Sequence, residues 1–181
     1  MSLEDELGLR KPVALLGHKA LLSTYYTASR LRKKAGEFFR PFTLTDVQFN
    51  LMMLLKHQSG DEKGLSQAHL SDMMLVNRAN ITSLVDRMEK AGFVARTPAP
   101  FDRRSNIIKL TPRGKKLIER VEPLYTKEVE RIMAALKEPE QKRLIAMLEK
   151  VRSNIGDSSE KKKAPKTWEG KILLRQGKDY K

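Results

Sequence analysis

From Val13 onward, apolar or small side chains recur at steps of three and four: Val13, Leu16, Ala20, Thr24, Ala28, Leu31, Ala35 and Phe38. That spacing predicts one stripe of a long amphipathic helix beginning near Pro12. Gly36 and then Pro41 mark its end. The preceding residues, 1–11, are polar and mixed and read as a loose segment. Thr45-Asp46-Val47-Gln48 has the Thr-x-x-Gln form of a capping box, in which each side chain satisfies a free N–H at the helix start. It opens a short apolar helix to about His57, followed by a loop at Gln58-Ser59-Gly60-Asp61-Glu62. A third helix is expected over Ser66 to Met74.

Asn77 suits the N-cap of a fourth helix, with Ile81, Leu84, Val85 and Met88 on its inner face. Ala91-Gly92 ends it, with Gly92 just past the last turn. The period then changes. Phe93 to Thr97 and Asn106 to Leu110 are β-branched or aromatic runs around a loop holding Pro98, Pro100 and a charge cluster. This predicts a β-hairpin with a long tip. Thr111-Pro112 suits the N-cap and first position of a helix carrying Leu117, Val121, Leu124, Val129, Ile132 and Leu136. Pro139 starts a last helix with Leu144, Ile145, Leu148 and Val151. No internal repeat is visible. Past Gly156 the chain turns polar and Lys-rich, although Trp168, Ile172, Leu173 and Leu174 leave a docking role for the far tail open.

Helix, helix, helix, hairpin in the middle of the chain is the order of a winged helix-turn-helix. Leu70, Met74, Val76, Ile81 and Leu84 are spaced to hold two helices at a fixed angle, so that the second can enter a major groove. Its outward face offers Asn77, Arg78, Asn80, Thr82, Ser83 and Arg87. Arg and Asn pair bidentately with guanine and adenine edges, and Ser and Thr donate to phosphate. At the hairpin tip, Arg103 and Arg104 can enter a narrow minor groove, with Asp102 bracing one of them. The bland alternative is a solvated polar helix and a soluble charged loop. The two features standing side by side favour the DNA reading.

Composition strengthens it. Among 181 residues, 36 Lys and Arg against 22 Asp and Glu give a formal net charge of +14, which calls for a polyanionic partner. Zero cysteines exclude disulfide scaffolds, thiol catalysis and Cys-based zinc sites. No apolar run approaches the roughly 18 residues of a membrane helix, and Met1 to Lys11 lacks the apolar core of a signal peptide. A soluble, cytoplasmic protein is expected. His18, His57 and His69, with Asp61 and Glu62 nearby, invite a metal reading. No two of these histidines are spaced i, i+4, so structural or surface roles are expected. No cofactor is expected.

Residues 44–114 resemble the MarR family of bacterial regulators. The matching pieces are Leu44-Thr45 with Gln48, Leu65-Ser66-Gln67, the run from Asn80 to Val94, Asp102-Arg103-Arg104, and Leu110-Thr111-Pro112-Arg113-Gly114. With its flanking helices the resemblance covers residues 12–155. Leu75 departs from the glycine that many helix-turn-helix units place in the turn. The tail at 156–181 has no counterpart in the family core.

The resemblance implies a mainly α winged helix-turn-helix, with a β-hairpin wing and long terminal helices. Residues 44–113 would be the DNA-binding lobe, and 12–40 and 114–155 the dimerisation helices. It further implies a homodimer on a palindromic double-stranded operator, usually a repressor. DNA contacts then fall on Asn77, Arg78, Asn80, Thr82, Ser83, Arg87, Arg103 and Arg104, with Asp102 bracing. A small aromatic or phenolic effector is also implied, with Tyr25, Tyr26, Phe38, Phe39, Phe42 and Met52 as candidate lining residues. Aromatics at helical spacing also serve as core. Three competing functions remain open. An enzyme lacks any nucleophile, phosphate-loop or metal motif to support it. A non-specific architectural binder fits the charge and the tail, where eight basic residues face four acidic ones. A membrane-surface protein lacks a strongly basic amphipathic helix.

Overall fold

The computed structural model describes residues 2–60, 64–74, 78–98 and 106–155. Its elements are α1 (Leu3–Leu7), α2 (Leu16–Phe39), a 3-10 turn (Arg40–Phe42), α3 (Asp46–His57), β1 (Leu65–Ser66), α4 (Gln67–Met74), α5 (Arg78–Lys90), β2 (Val94–Pro98), β3 (Asn106–Leu110), α6 (Pro112–Met133) and α7 (Glu138–Ile155). The chain divides into two units, Met1–Glu130 and Arg131–Lys181. Among the described residues, no helix is long and apolar enough to cross a membrane.

The core lies in the first unit. Phe49, Leu51, Met52 and Leu55 of α3 meet Leu70 of α4 and Ile81, Leu84, Val85 and Met88 of α5. Phe93, Val94, Ile108, Ile118 and Val121 close the same cluster. Each fully buried aliphatic or Phe side chain contributes about 1.5–3 kcal/mol. The inner face expected for α5 is therefore the buried one.

Local chemistry sets the joints. Thr45 Oγ1 accepts from the Gln48 N–H at 3.2 Å, and Gln48 Oε1 accepts from the Thr45 N–H at 2.9 Å, the reciprocal box that starts α3. At the end of α5, Gly92 sits at φ 72°. The Gly92 N–H donates to Glu89 O and the Phe93 N–H to Met88 O, both at 2.9 Å, a Schellman stop that turns the chain into β2. Thr111 Oγ1 caps α6 by accepting from the Gly114 N–H at 3.0 Å, and its hydroxyl donates to Gly92 O at 2.7 Å. Pro112 takes the first helical position, where a missing N–H costs nothing. Gly114 is obligatory here, because a Cβ would lie 2.1 Å from Phe93 O.

The sheet holds three antiparallel strands in the order β1-β3-β2. Val94 faces Leu110 and Pro98 faces Asn106 across β2 and β3, while Leu65 faces Ile108 across β1 and β3. The hairpin is thus confirmed, and β1 is an addition to it. Two residues are too few to show alternation, so Ser66 reads as helical in the sequence. It is in fact the second residue of β1, and its Oγ still caps α4 by accepting from the His69 N–H at 3.2 Å.

Two other expectations are corrected. Residues 1–11 are not loose throughout: Leu3–Leu7 is helical, held by a Ser2–Asp5 capping box and stopped by Gly8 at φ 65°. Glu4 ties this turn to α2 through Lys19 at 2.8 Å, and hydrogen bonds from Lys19 and backbone N–H groups hold its carboxyl down to about 2. The long helix starts at Leu16 rather than Pro12 and runs through Gly36 to Phe39. Ala35, Phe38 and Phe39 on that last stretch pack on the core, which outweighs the roughly 1 kcal/mol helix cost of one glycine.

Candidate nucleic-acid interface

Recognition-helix candidates are held up by the buried face of α5. At about 100° per residue, Asn80, Ser83 and Arg87 fall on one flank and Thr82 on the other. All four are exposed. Arg87 Nε donates to Ser83 O at 3.2 Å, which lays the guanidinium back along the helix. Gln67 Nε2 donates to Thr82 Oγ1 at 3.3 Å and ties the start of α4 to α5. Arg78 opens α5, but its side chain lies outside the described residues. So do Leu75, Val76 and Asn77, expected in the turn, and Asp102, Arg103 and Arg104, expected at the hairpin tip.

Beside this face stands a cluster that periodicity does not reveal. Arg96, on β2, reaches both Asp86 and Glu89 of α5. Burial works against its charge, yet the two carboxylates outweigh that and keep the guanidinium more firmly protonated than usual. The available signal was the one-turn spacing of two acids on a helix assigned to polyanion binding.

The six effector candidates divide. Phe38, Phe39 and Phe42 join Phe49 and Tyr125 in one aromatic cluster, with neighbouring ring centroids 4.6–5.7 Å apart. Met52 is fully buried in the adjoining core. Tyr25 and Tyr26 lie about 18 Å further back along α2, from twelve residues at a helical rise. Tyr25 is exposed and Tyr26 Oη accepts from Arg30 at 3.0 Å. Tyr125 was missed because it arrives from α6. Burial, with Asp46 near, pushes its hydroxyl up.

Of the histidines, His57 is engaged by Glu122, which also takes Lys56, at 2.6 and 2.5 Å. Among the described residues no group of His, Asp and Glu could hold a metal ion; Asp61 and Glu62 lie outside them.

A sheet-flanked helix pair presenting polar and cationic side chains defines a winged-helix protein of the DNA-binding class. A profile of the MarR family matches residues 42–105. The chain is 30% identical over 117 residues to the transcriptional regulator PecS of Dickeya dadantii, covering 65% of this chain and 70% of that one. It is also 30% identical over 130 residues to a transcriptional repressor of Mycobacterium bovis, covering 72% and 91%. Among solved structures it is similar to AbsC of Streptomyces coelicolor, with a TM-score of 0.70 at 19% identity over 80% of this chain and 98% of that one. A MarR mutant from E. coli complexed with operator DNA aligns with a TM-score of 0.66 at 22% identity, over 83% and 99%. The chain belongs to the MarR family of transcriptional regulators.

Proposed function

We propose that this chain is a sequence-specific, DNA-binding transcriptional repressor that acts as a cytoplasmic homodimer on a palindromic operator and is released by a small ligand. The observation that carries the reading is the exposed face of α5, where Asn80, Thr82, Ser83 and Arg87 stand over a fully buried opposite face. In this reading DNA contacts also fall on Asn77, Arg78, Arg103 and Arg104, with Asp102 as a bracing partner. Residues 44–113 form the DNA-binding lobe, 12–40 and 114–155 the dimerisation region, and 156–181 a basic tail that adds phosphate attraction without base choice. The MarR mutant bound to operator DNA and the MepR–DNA complex of S. aureus, at 22% identity, support the mode of binding.

Exposed apolar side chains support the dimer. On α2, Leu16, Leu21, Leu22 and Tyr25 lie open, and so do Ile145, Met147, Val151 and Ile155 on α7. An effector of aromatic or phenolic type fits best beside Phe38 and Phe42, whose rings are half-buried at the edge of the aromatic cluster. Release requires that it bind the DNA-free dimer geometry more tightly than the bound one.

Genomic selection with full-length protein, then titration of the best site against scrambled DNA at physiological salt, tests the reading. A palindromic site preferred by about 10³-fold or more is expected, and Asn80→Ala should cost about 1–3 kcal/mol on it while relaxing base choice. A flat profile with steep salt dependence would replace this reading with a non-specific architectural role.

A further inference from the structure

Asp86 and Glu89 run against the task proposed for α5. Carboxylates close to phosphate oppose binding, and these two lie one turn apart on the helix meant to meet DNA. Both are answered by a single residue of the wing. Arg96 Nη2 donates to Asp86 Oδ1 at 2.5 Å, and Nη1 donates to Glu89 Oε2. The Arg96 backbone N–H donates to the other Glu89 oxygen, Oε1, at 3.0 Å. Three donors from one residue thus meet three of the four carboxylate oxygens.

Neutralising charge alone would not need this arrangement. A planar guanidinium fork fixes distance and angle in a way that a single ammonium does not. The Arg96 side chain is 22% exposed, against 49% for Asp86 and 38% for Glu89, so the guanidinium is better shielded from water than its anchors. Arg96 also sits in the middle of β2, opposite Ile108 in the ladder from Val94↔Leu110 to Pro98↔Asn106. A grip on Arg96 is therefore a grip on both paired strands. The turn at Gly92 and the burial of Val94 and Ile108 against α5 hold the base of the hairpin, and Arg96 adds a polar tie two residues further along β2.

We propose that Arg96 is a positioning residue that locks the wing to the recognition helix, so that major-groove reading and the wing's contact beside it are delivered at one fixed spacing. The inference rests on the reading of α5 and the hairpin as the DNA-binding pair. Arg96 itself touches no base in this scheme. Asp86 and Glu89 are its anchors, and their charge is occupied by the fork rather than presented to phosphate.

The test compares full-length wild type, Arg96→Lys and Asp86→Asn on the operator selected by wild type. Major-groove protection is read with dimethyl sulfate and wing protection with hydroxyl radical. Arg96→Lys keeps the charge and loses the fork. It should keep major-groove protection at saturating protein, lose wing protection at the flanks, and bind the operator about tenfold more weakly, with random-DNA affinity within about twofold of wild type. Asp86→Asn guards against a variant that does not fold. It makes the protein more basic, so simple electrostatics has it binding all DNA more tightly; the brace requires a weaker operator complex instead. Unchanged flank protection in Arg96→Lys, or tighter binding of Asp86→Asn to operator and random DNA alike, overturns the inference while leaving the DNA reading intact. A wild type with no preferred site overturns both.

Discussion

Between Leu44 and Val121 most of the described large apolar side chains turn inward, Val47 and Met73 excepted: Phe49, Met52, Leu70, Ile81, Val85, Met88 and Ile108 are all sealed from solvent. The long helices treat the same residue types differently. α2 buries only Phe39 of its 24 residues, and α7 buries none of its 18. Leu16, Leu21, Ile145, Met147 and Val151 remain open. The winged lobe completes its core among the described residues of one chain, whereas α2 and α7 each keep large apolar side chains open. Stability in the lobe should therefore answer to packing, and in the helices, under the proposed homodimer, to a second copy.

Substitution can break that contrast. The largest effect is expected at Gly114, where Ala brings a Cβ against the Phe93 carbonyl. Gly114→Ala should lower unfolding stability by about 2–4 kcal/mol in urea melts. The same change at Gly36, where nothing stands within 4 Å of a Cβ, should raise it by about 0.5–1 kcal/mol. Equal responses at the two sites would erase the distinction.

Next comes the open face of α7. Placing aspartate at both Ile145 and Val151 should weaken self-association by about 100-fold or more, the scale of a lost interface centre, while the lobe keeps its circular dichroism signature. Sedimentation at several concentrations reads this directly, and an unshifted dimer would exclude this face from the interface.

The smallest effect lies where α6 meets the lobe, at Glu122 against Lys56 and His57. Burial tends to raise the Glu122 carboxyl, but hydrogen bonds from Lys56 and His57 outweigh it and hold the group below its ordinary range. A carboxyl depressed in the folded state contributes fully above its unfolded value and loses that contribution as pH falls through the lower folded one. Between neutral pH and strong acid, wild type should therefore lose more stability than Glu122→Gln. Parallel pH profiles would remove Glu122 from the account.

Much of the lobe was legible because its signals are local. Thr45 and Gln48 lie three residues apart, Gly92 follows its helix directly, and Thr111-Pro112 announces α6 on its own. The inner face of α5 was equally plain, since one helical period separates Ile81, Leu84, Val85 and Met88. What escaped depends on residues brought together by folding. β1 is two residues long and exists only through β3. Tyr125 enters the aromatic cluster from α6, far along the chain from Phe39. Arg96 meets Asp86 and Glu89 only because a Schellman turn swings β2 back beside α5. The start of the chain was misread for another reason: a capping box led by Ser2 and Asp5 is as local as the one at Thr45, but no apolar run follows to draw attention to it.

Thr111 and Gly114 hold a consequence of a mechanical kind. The hydroxyl of Thr111 is fastened to Gly92 O, and the Gly114 backbone bears directly on Phe93 O, with no clearance for even one methyl group. A joint without play transmits displacement rather than absorbing it. Any push or twist that reaches the first turn of α6 must carry the last turn of α5 with it, so α5 is geared to α6 at its C-terminal end.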